Sequence, residues 1–165
     1  MAGYGDNQGF RDYAAAAGYV IPDETSDADI AAARQRGSIV IDRYEMRFSG
    51  SRSGGYMQDR AWPRSGACTY YGEPIPGDVI PAPIVNASYE AAFLELTNPG
   101  SLLPVITLSE DVKRERIGHL EVEYQDSPTG ATRDELIALA TPVVSIIEGL
   151  LFLFLRPVLP GILAV

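Results

Sequence analysis

A chain of 165 residues is long enough for one domain that buries about 70% of its unfolded surface. With 13 Lys and Arg against 22 Asp and Glu, the net charge is −9, which argues against a protein whose main task is gripping phosphates. One cysteine, Cys68, and one histidine, His119, exclude an internal disulfide, a zinc site of the usual nitrogen and sulfur kind, and any relay built on a histidine pair.

In chain order, the first helix is predicted from Asn7 to Ala17, with Asp6 or Asn7 as cap and Gly18 as stop. It sets Phe10, Tyr13, Ala14 and Ala17 on one face. After an Ile21-Pro22-Asp23 turn, a second helix starts at Ser26 and aligns Ile30, Ala33, Ile41 and Tyr44, with Gly37 where another helix can approach closely. Residues 48–83 show no sustained period. Gly, Ser and Pro dominate there, broken by Tyr56, Trp62, Tyr70 and Tyr71. An irregular stretch of that length has a purpose of its own or is ordered by a partner. A third helix is predicted over Ala82 to Leu96, with Pro83 in its first turn and Asn98-Pro99-Gly100 ending it.

Leu102 to Leu108 is an apolar connector with room for a short strand. Residues 112–124 read as a β-hairpin turning at Gly118-His119, where glycine supplies the positive φ of a primed turn. In that register Arg116 faces Glu121 and Arg114 faces Glu123, while Ile117, Leu120 and Val122 take the other side. A slip by one residue would break both charge pairs and turn the apolar set outward. Gln125 to Gly130 is a turn. Thr132-Arg133-Asp134-Glu135 has capping-box spacing and opens a fourth helix, which Pro142 kinks or restarts. Val143, Ile146, Ile147, Leu150, Leu151 and Phe154 then form a broad apolar face. The expected fold is mainly α: a bundle of about four helices with one β-hairpin and a long irregular loop, in a single domain over 1–156.

The last stretch, Val143 to Val165, is mostly apolar. Glu148 and Arg156 interrupt it and Pro157 and Pro160 break any helix, so no membrane span is expected. The start of the chain is polar and does not read as a signal peptide. Residues 157–165 cannot be a regular helix and are too apolar to stay in water. They are read as a tail that docks on another subunit, with Pro157, Val158, Leu159, Pro160, Ile162 and Leu163 as contacts and Leu159, Ile162 and Leu163 as anchors.

Little in the chain points to catalysis. His119 falls at a hairpin tip, a poor place for a histidine that must be held by a second group. Asp23, Glu24, Asp27 and Asp29 lack the glycine of a calcium loop and suit helix capping. Gly54-Gly55 lacks the lysine and spacing of a phosphate loop, and Asn86-Ala87-Ser88 lies within a predicted helix. No catalytic residue, metal site or cofactor is expected. Charge is uneven, however: residues 34–64 carry Arg34, Arg36, Arg43, Arg47, Arg52, Arg60 and Arg64 against Asp42, Glu45 and Asp59. Aromatic residues among arginines can stack on and hold a single strand. The plainer reading has Trp62 anchoring the loop while the arginines pair with neighbouring acids.

Two segments carry a family resemblance. Ala61-Trp62-Pro63-Arg64, then Glu73-Pro74-Ile75-Pro76 and Val79-Ile80-Pro81, lead into the Ala-rich third helix; Val112-Lys113-Arg114-Glu115 and Glu121-Val122-Glu123-Tyr124 flank the hairpin turn. In that order they resemble, over roughly residues 8–124, head–tail adaptors (connectors) of tailed bacteriophages, a family also described as DnaT-like single-stranded-DNA-binding proteins. The resemblance implies a non-catalytic ring of about twelve copies beneath the portal, made in the host cytoplasm and ending in the virion neck. Its partners would be the portal, a tail or neck protein and copies of itself, with genomic DNA passing through the lumen without specific binding. On this reading the hairpin residues Arg114, Arg116, His119, Glu121 and Glu123 and the loop residues Trp62, Arg64, Tyr70 and Tyr71 are contacts, and loop and tail reach the next subunit or the portal. The alternative under the second description is a replication accessory that binds single strands, with affinity falling steeply with salt and depending on Trp62 and Arg64.

Overall fold

The computed structural model describes residues 2–100, 115–117, 120–122 and 146–156. Three long helices are seen in order: α1 (Asn7–Ala17), α2 (Asp27–Asp42) and α3 (Ala82–Thr97), with residues 146–151 helical as well. Two small antiparallel pairs accompany them, β1 (Ser51–Arg52) with β2 (Arg64–Ser65) and β3 (Glu115–Ile117) with β4 (Leu120–Val122). The fold is mainly α with a small hairpin, as the hydrophobic periodicity predicts.

Local chemistry sets the helix ends. Asp6 accepts a hydrogen bond from the Gly9 amide at 2.7 Å, and Gly18 closes α1 in the left-handed region at φ 75°. Ser26 is the cap of α2 rather than its first residue. It accepts from the Asp29 amide, while the Asp29 carboxylate accepts from the Ser26 amide. α2 stops at Asp42, so Tyr44 lies beyond the helix, although it still packs on the core.

The body of the fold is α2 against α3. A Cβ on Gly37 would sit 2.5 Å from the Ser88 carbonyl oxygen and 2.7 Å from the Ala92 amide, so only glycine permits this backbone approach. The core divides into two clusters. Phe10, Ile30, Ala33, Tyr89 and Ala92 fill the space between α1, α2 and α3, with Phe10 edge-on to Tyr89 at 5.8 Å. Tyr4, Ile41, Phe48, Trp62, Ile84, Ile147, Leu151, Phe154 and Leu155 join the helix pair to the loop and to residues 146–156.

Of the apolar face predicted for the fourth helix, Ile147, Leu151 and Phe154 are buried and Ile146 is exposed. Helix gives way to a 3-10 turn at Phe152–Phe154, so Phe154 reaches the core from that turn. The hairpin has the predicted register, Arg116 opposite Glu121 and Ile117 opposite Leu120. Arg114, His119, Glu123, the connector 102–108, the opening of the fourth helix and the tail 157–165 lie outside the described residues. Among the described residues no helix is long and apolar enough to cross a membrane.

Candidate interaction surface

Residues 48–83 contain almost no regular structure, yet their first half is pinned to the bundle by arginine. The Arg64 guanidinium donates to the carbonyls of Ser49 at 2.7 Å, Gly50 at 2.7 Å and Ala61 at 3.1 Å, and reaches Glu45 at 3.3 Å. Arg52 forks onto both oxygens of the same Glu45 at 2.7 and 2.6 Å. Hydrogen bonds from Arg52, and then from Arg64, hold the Glu45 carboxyl below its ordinary range. Arg60 pairs with Asp42 at 3.0 Å, whose other oxygen accepts from the Tyr4 hydroxyl at 2.5 Å and the Ala61 amide at 3.0 Å. Burial, followed by this bond to Asp42, pushes the Tyr4 hydroxyl well above the usual phenol range. The Trp62 amide closes the junction by donating to Tyr4 Oη at 3.1 Å.

This geometry corrects two of the predicted contacts. Trp62 is 2% exposed, edge-on to Phe48 at 5.5 Å and to Phe154 at 6.0 Å, and Arg64 is 4% exposed. Neither faces a partner or a nucleic acid, because the loop spends both on holding itself to the bundle. Tyr56 and Met57 in the same half of the loop stay exposed, at 94% and 76%. The plainer alternative, an aromatic anchor with arginines paired to nearby acids, is what the structure contains.

Tyr70 and Tyr71 have a different fate. Beyond Gly66 the loop forms a short hairpin in which the Ile75 amide donates to Ala67 at 2.8 Å and the Thr69 amide to Glu73 at 2.8 Å. Gly72 turns the chain at φ 86°, and Ser49 Oγ bonds both the amide and the carbonyl of Cys68 at 2.8 Å. The Tyr70 amide donates to the Leu153 carbonyl at 2.6 Å, fixing the tip against the 3-10 turn at Phe152–Phe154. There the Tyr70 ring stacks on Phe152, with centroids 5.4 Å apart and planes 29° from parallel, while Tyr71 stands edge-on to Tyr70 at 5.4 Å. Exposures of 51%, 74% and 53% for Tyr70, Tyr71 and Phe152 leave ring faces open to solvent.

A groove of about 440 Å³ runs beside the cluster, lined by Ser49, Thr69, Tyr70, Phe154, Leu155 and Arg156. The chain leaves it at Arg156, whose amide donates to the Arg47 carbonyl at 2.7 Å. Sequence pattern does not single out Phe152, because it lies off the helical face that predicts the core. Its one signal was membership in the apolar run after Glu148.

Among the described residues most cations are engaged. Arg11, Arg36, Arg47, Arg52, Arg60 and Arg64 each have a carboxylate within 4.0 Å. Arg34 is buried and donates to Asn7 at 2.8 Å and to the Tyr4 carbonyl at 3.0 Å. Arg43 and Arg156 have no ion pair among the described residues. No group of three His, Cys, Asp or Glu among the described residues is placed to hold a metal.

A family model described as "Putative DnaT-like ssDNA binding protein" matches residues 3–157, almost the whole chain. The chain belongs to that family. No curated protein and no solved structure matches significantly. The match agrees with the DnaT-like side of the resemblance seen in the sequence; its description names single-stranded DNA and says nothing of a virion or a neck.

Proposed function

We propose that this chain is a non-catalytic protein that binds single-stranded DNA. The observation that carries the reading is the family match over residues 3–157, and open aromatic faces on a rigid support are compatible with it. Among the described residues Arg60, Arg64 and Trp62 are buried and Arg52 is held by Glu45, which favours stacking over phosphate neutralisation on this part of the chain. Salt dependence for single strands is about −0.7 in log affinity per log salt for each phosphate neutralised, so a steep dependence is no longer expected. Fluorescence anisotropy of a labelled oligothymidylate, titrated with the full chain across a salt series, tests this. Saturable binding with a shallow salt slope supports it, and absence of binding at low salt refutes it.

A second reading is favoured by a specific observation. Six of the described arginines are paired, the net charge is −9, and the open patch is apolar and lies where the apolar residues 157–165 begin. Such a surface suits protein better than phosphate. In this reading the chain is a head–tail adaptor whose copies close a ring beneath the portal, with the tail and the 112–124 hairpin as contacts. Co-sedimentation with the portal ring of the same genome separates the two readings. One copy per portal subunit, lost on deletion of residues 157–165, establishes the adaptor; no association, with strand binding intact, removes it.

A further inference from the structure

We infer that the Tyr70–Tyr71–Phe152 cluster is a stacking site for the bases of a single-stranded nucleic acid, with Arg156 at its edge for the backbone. The inference rests on the single-strand reading above and names the surface that would perform it, in place of Trp62 and Arg64.

Tyr70 touches both Tyr71 and Phe152, and each of the three rings keeps about half or more of its area in water. Apolar surface of that size is costly to leave open, and a base covers it without needing a hydrogen-bond partner on the protein. The support is stiff. Tyr70 is tied through its amide to Leu153, the hairpin below it is closed by backbone bonds, and Ser49 clamps Cys68 on both sides. Rings held in place lose little freedom when a base arrives. The groove between Thr69 and Leu155 gives a neighbouring base room beside the stacked pair.

Charge decides which force dominates. Arg156 is exposed and has no ion pair among the described residues, whereas Glu73 lies on the same hairpin and Glu148 takes up Arg47 at 3.9 Å. One guanidinium without an ion pair guides a backbone but does not hold it. Recognition is therefore by ring faces and tolerant of base identity, since every base has a π-face.

The test uses the full chain and a fluorescein-labelled oligothymidylate, read by anisotropy, beside a strand of the same length with abasic sugars. Tyr71→Ala and Tyr70→Leu should each weaken binding by about tenfold, Tyr70→Trp should keep it, and the abasic strand should bind poorly. Tyr70→Leu keeps apolar bulk and removes the ring face, so it separates stacking from simple burial. Wild-type protein that binds thymidylate and abasic strands equally, or variants that bind as tightly as wild type, overturn the site while leaving the single-strand reading in place. Wild-type protein that binds neither strand overturns that reading and the site with it.

Discussion

The α2–α3 pair and the loop over residues 48–83 are both well packed, by opposite means. The helices satisfy their own backbone and come together by having little side chain in the way, with Gly37 on Ser88 and Ala92. The loop has only two short antiparallel pairings, at Ser51–Arg52 with Arg64–Ser65 and around Gly72, so arginine side chains satisfy several of its other carbonyls. Arg64 alone takes three of them and Arg52 a fourth, at Gln58, while Arg60 ties the loop to the Ala2 carbonyl at the start of the chain. Guanidinium offers five donors in a fixed fork, which suits a chain segment whose carbonyls point inward from several directions. A run of arginines beside an irregular segment can thus be structural, even where it looks like a phosphate-binding patch.

The largest effect is expected where the two regions meet. Trp62→Ala should cost about 3–5 kcal/mol in urea denaturation, since the indole packs between Phe48 and Phe154 at the junction. A loss below about 1 kcal/mol would mean the loop is not part of the cooperative unit. Arg64→Met should cost about 3 kcal/mol, because it strands the carbonyls of Ser49, Gly50 and Ala61. Arg64→Lys should recover only part of that, as an ammonium cannot fork; full recovery would refute the carbonyl-satisfying role. On the helix side, Gly37→Val should cost about 1–3 kcal/mol by forcing α2 off α3, with the Tyr70 and Tyr71 surface unaffected.

The smallest effect distinguishes the regions by pH. The folded-state pKa of Glu45 is depressed, by hydrogen bonding to Arg52 first and with Arg64 adding to it, so its contribution is present above the ordinary value of 4.5. It is lost as pH falls through the folded value, where both states become protonated. Urea midpoints measured from about pH 6 downward should fall faster for wild type than for Glu45→Gln. Equal slopes would show that the Arg52–Glu45–Arg64 group adds nothing in solution.

Much of the fold was legible because the signals are local. Asp6 and Gly18 bracket α1, Pro83 lies in the first turn of α3 and Asn98 caps its end, and the residue pattern around Gly118-His119 predicts the observed Arg116–Glu121 register. Gly37 announced a close helix contact without saying with what. The candidate surface was only half legible. Tyr70 and Tyr71 stood out as aromatic residues in an irregular stretch, but so did Trp62, and nothing in the sequence ranks them. Their difference comes from residues far along the chain: Tyr4 and Phe154 close over Trp62, while Leu153 and Phe152 prop Tyr70 at the surface.

The sequence by itself determined the helices, their caps and the hairpin register, since these depend on neighbours within a few residues. Only the tertiary structure decided which arginines are spent inside and which aromatic rings remain outside. Burial is a property of contacts between distant segments, and a guanidinium reads the same in sequence whether it meets a carbonyl or a phosphate.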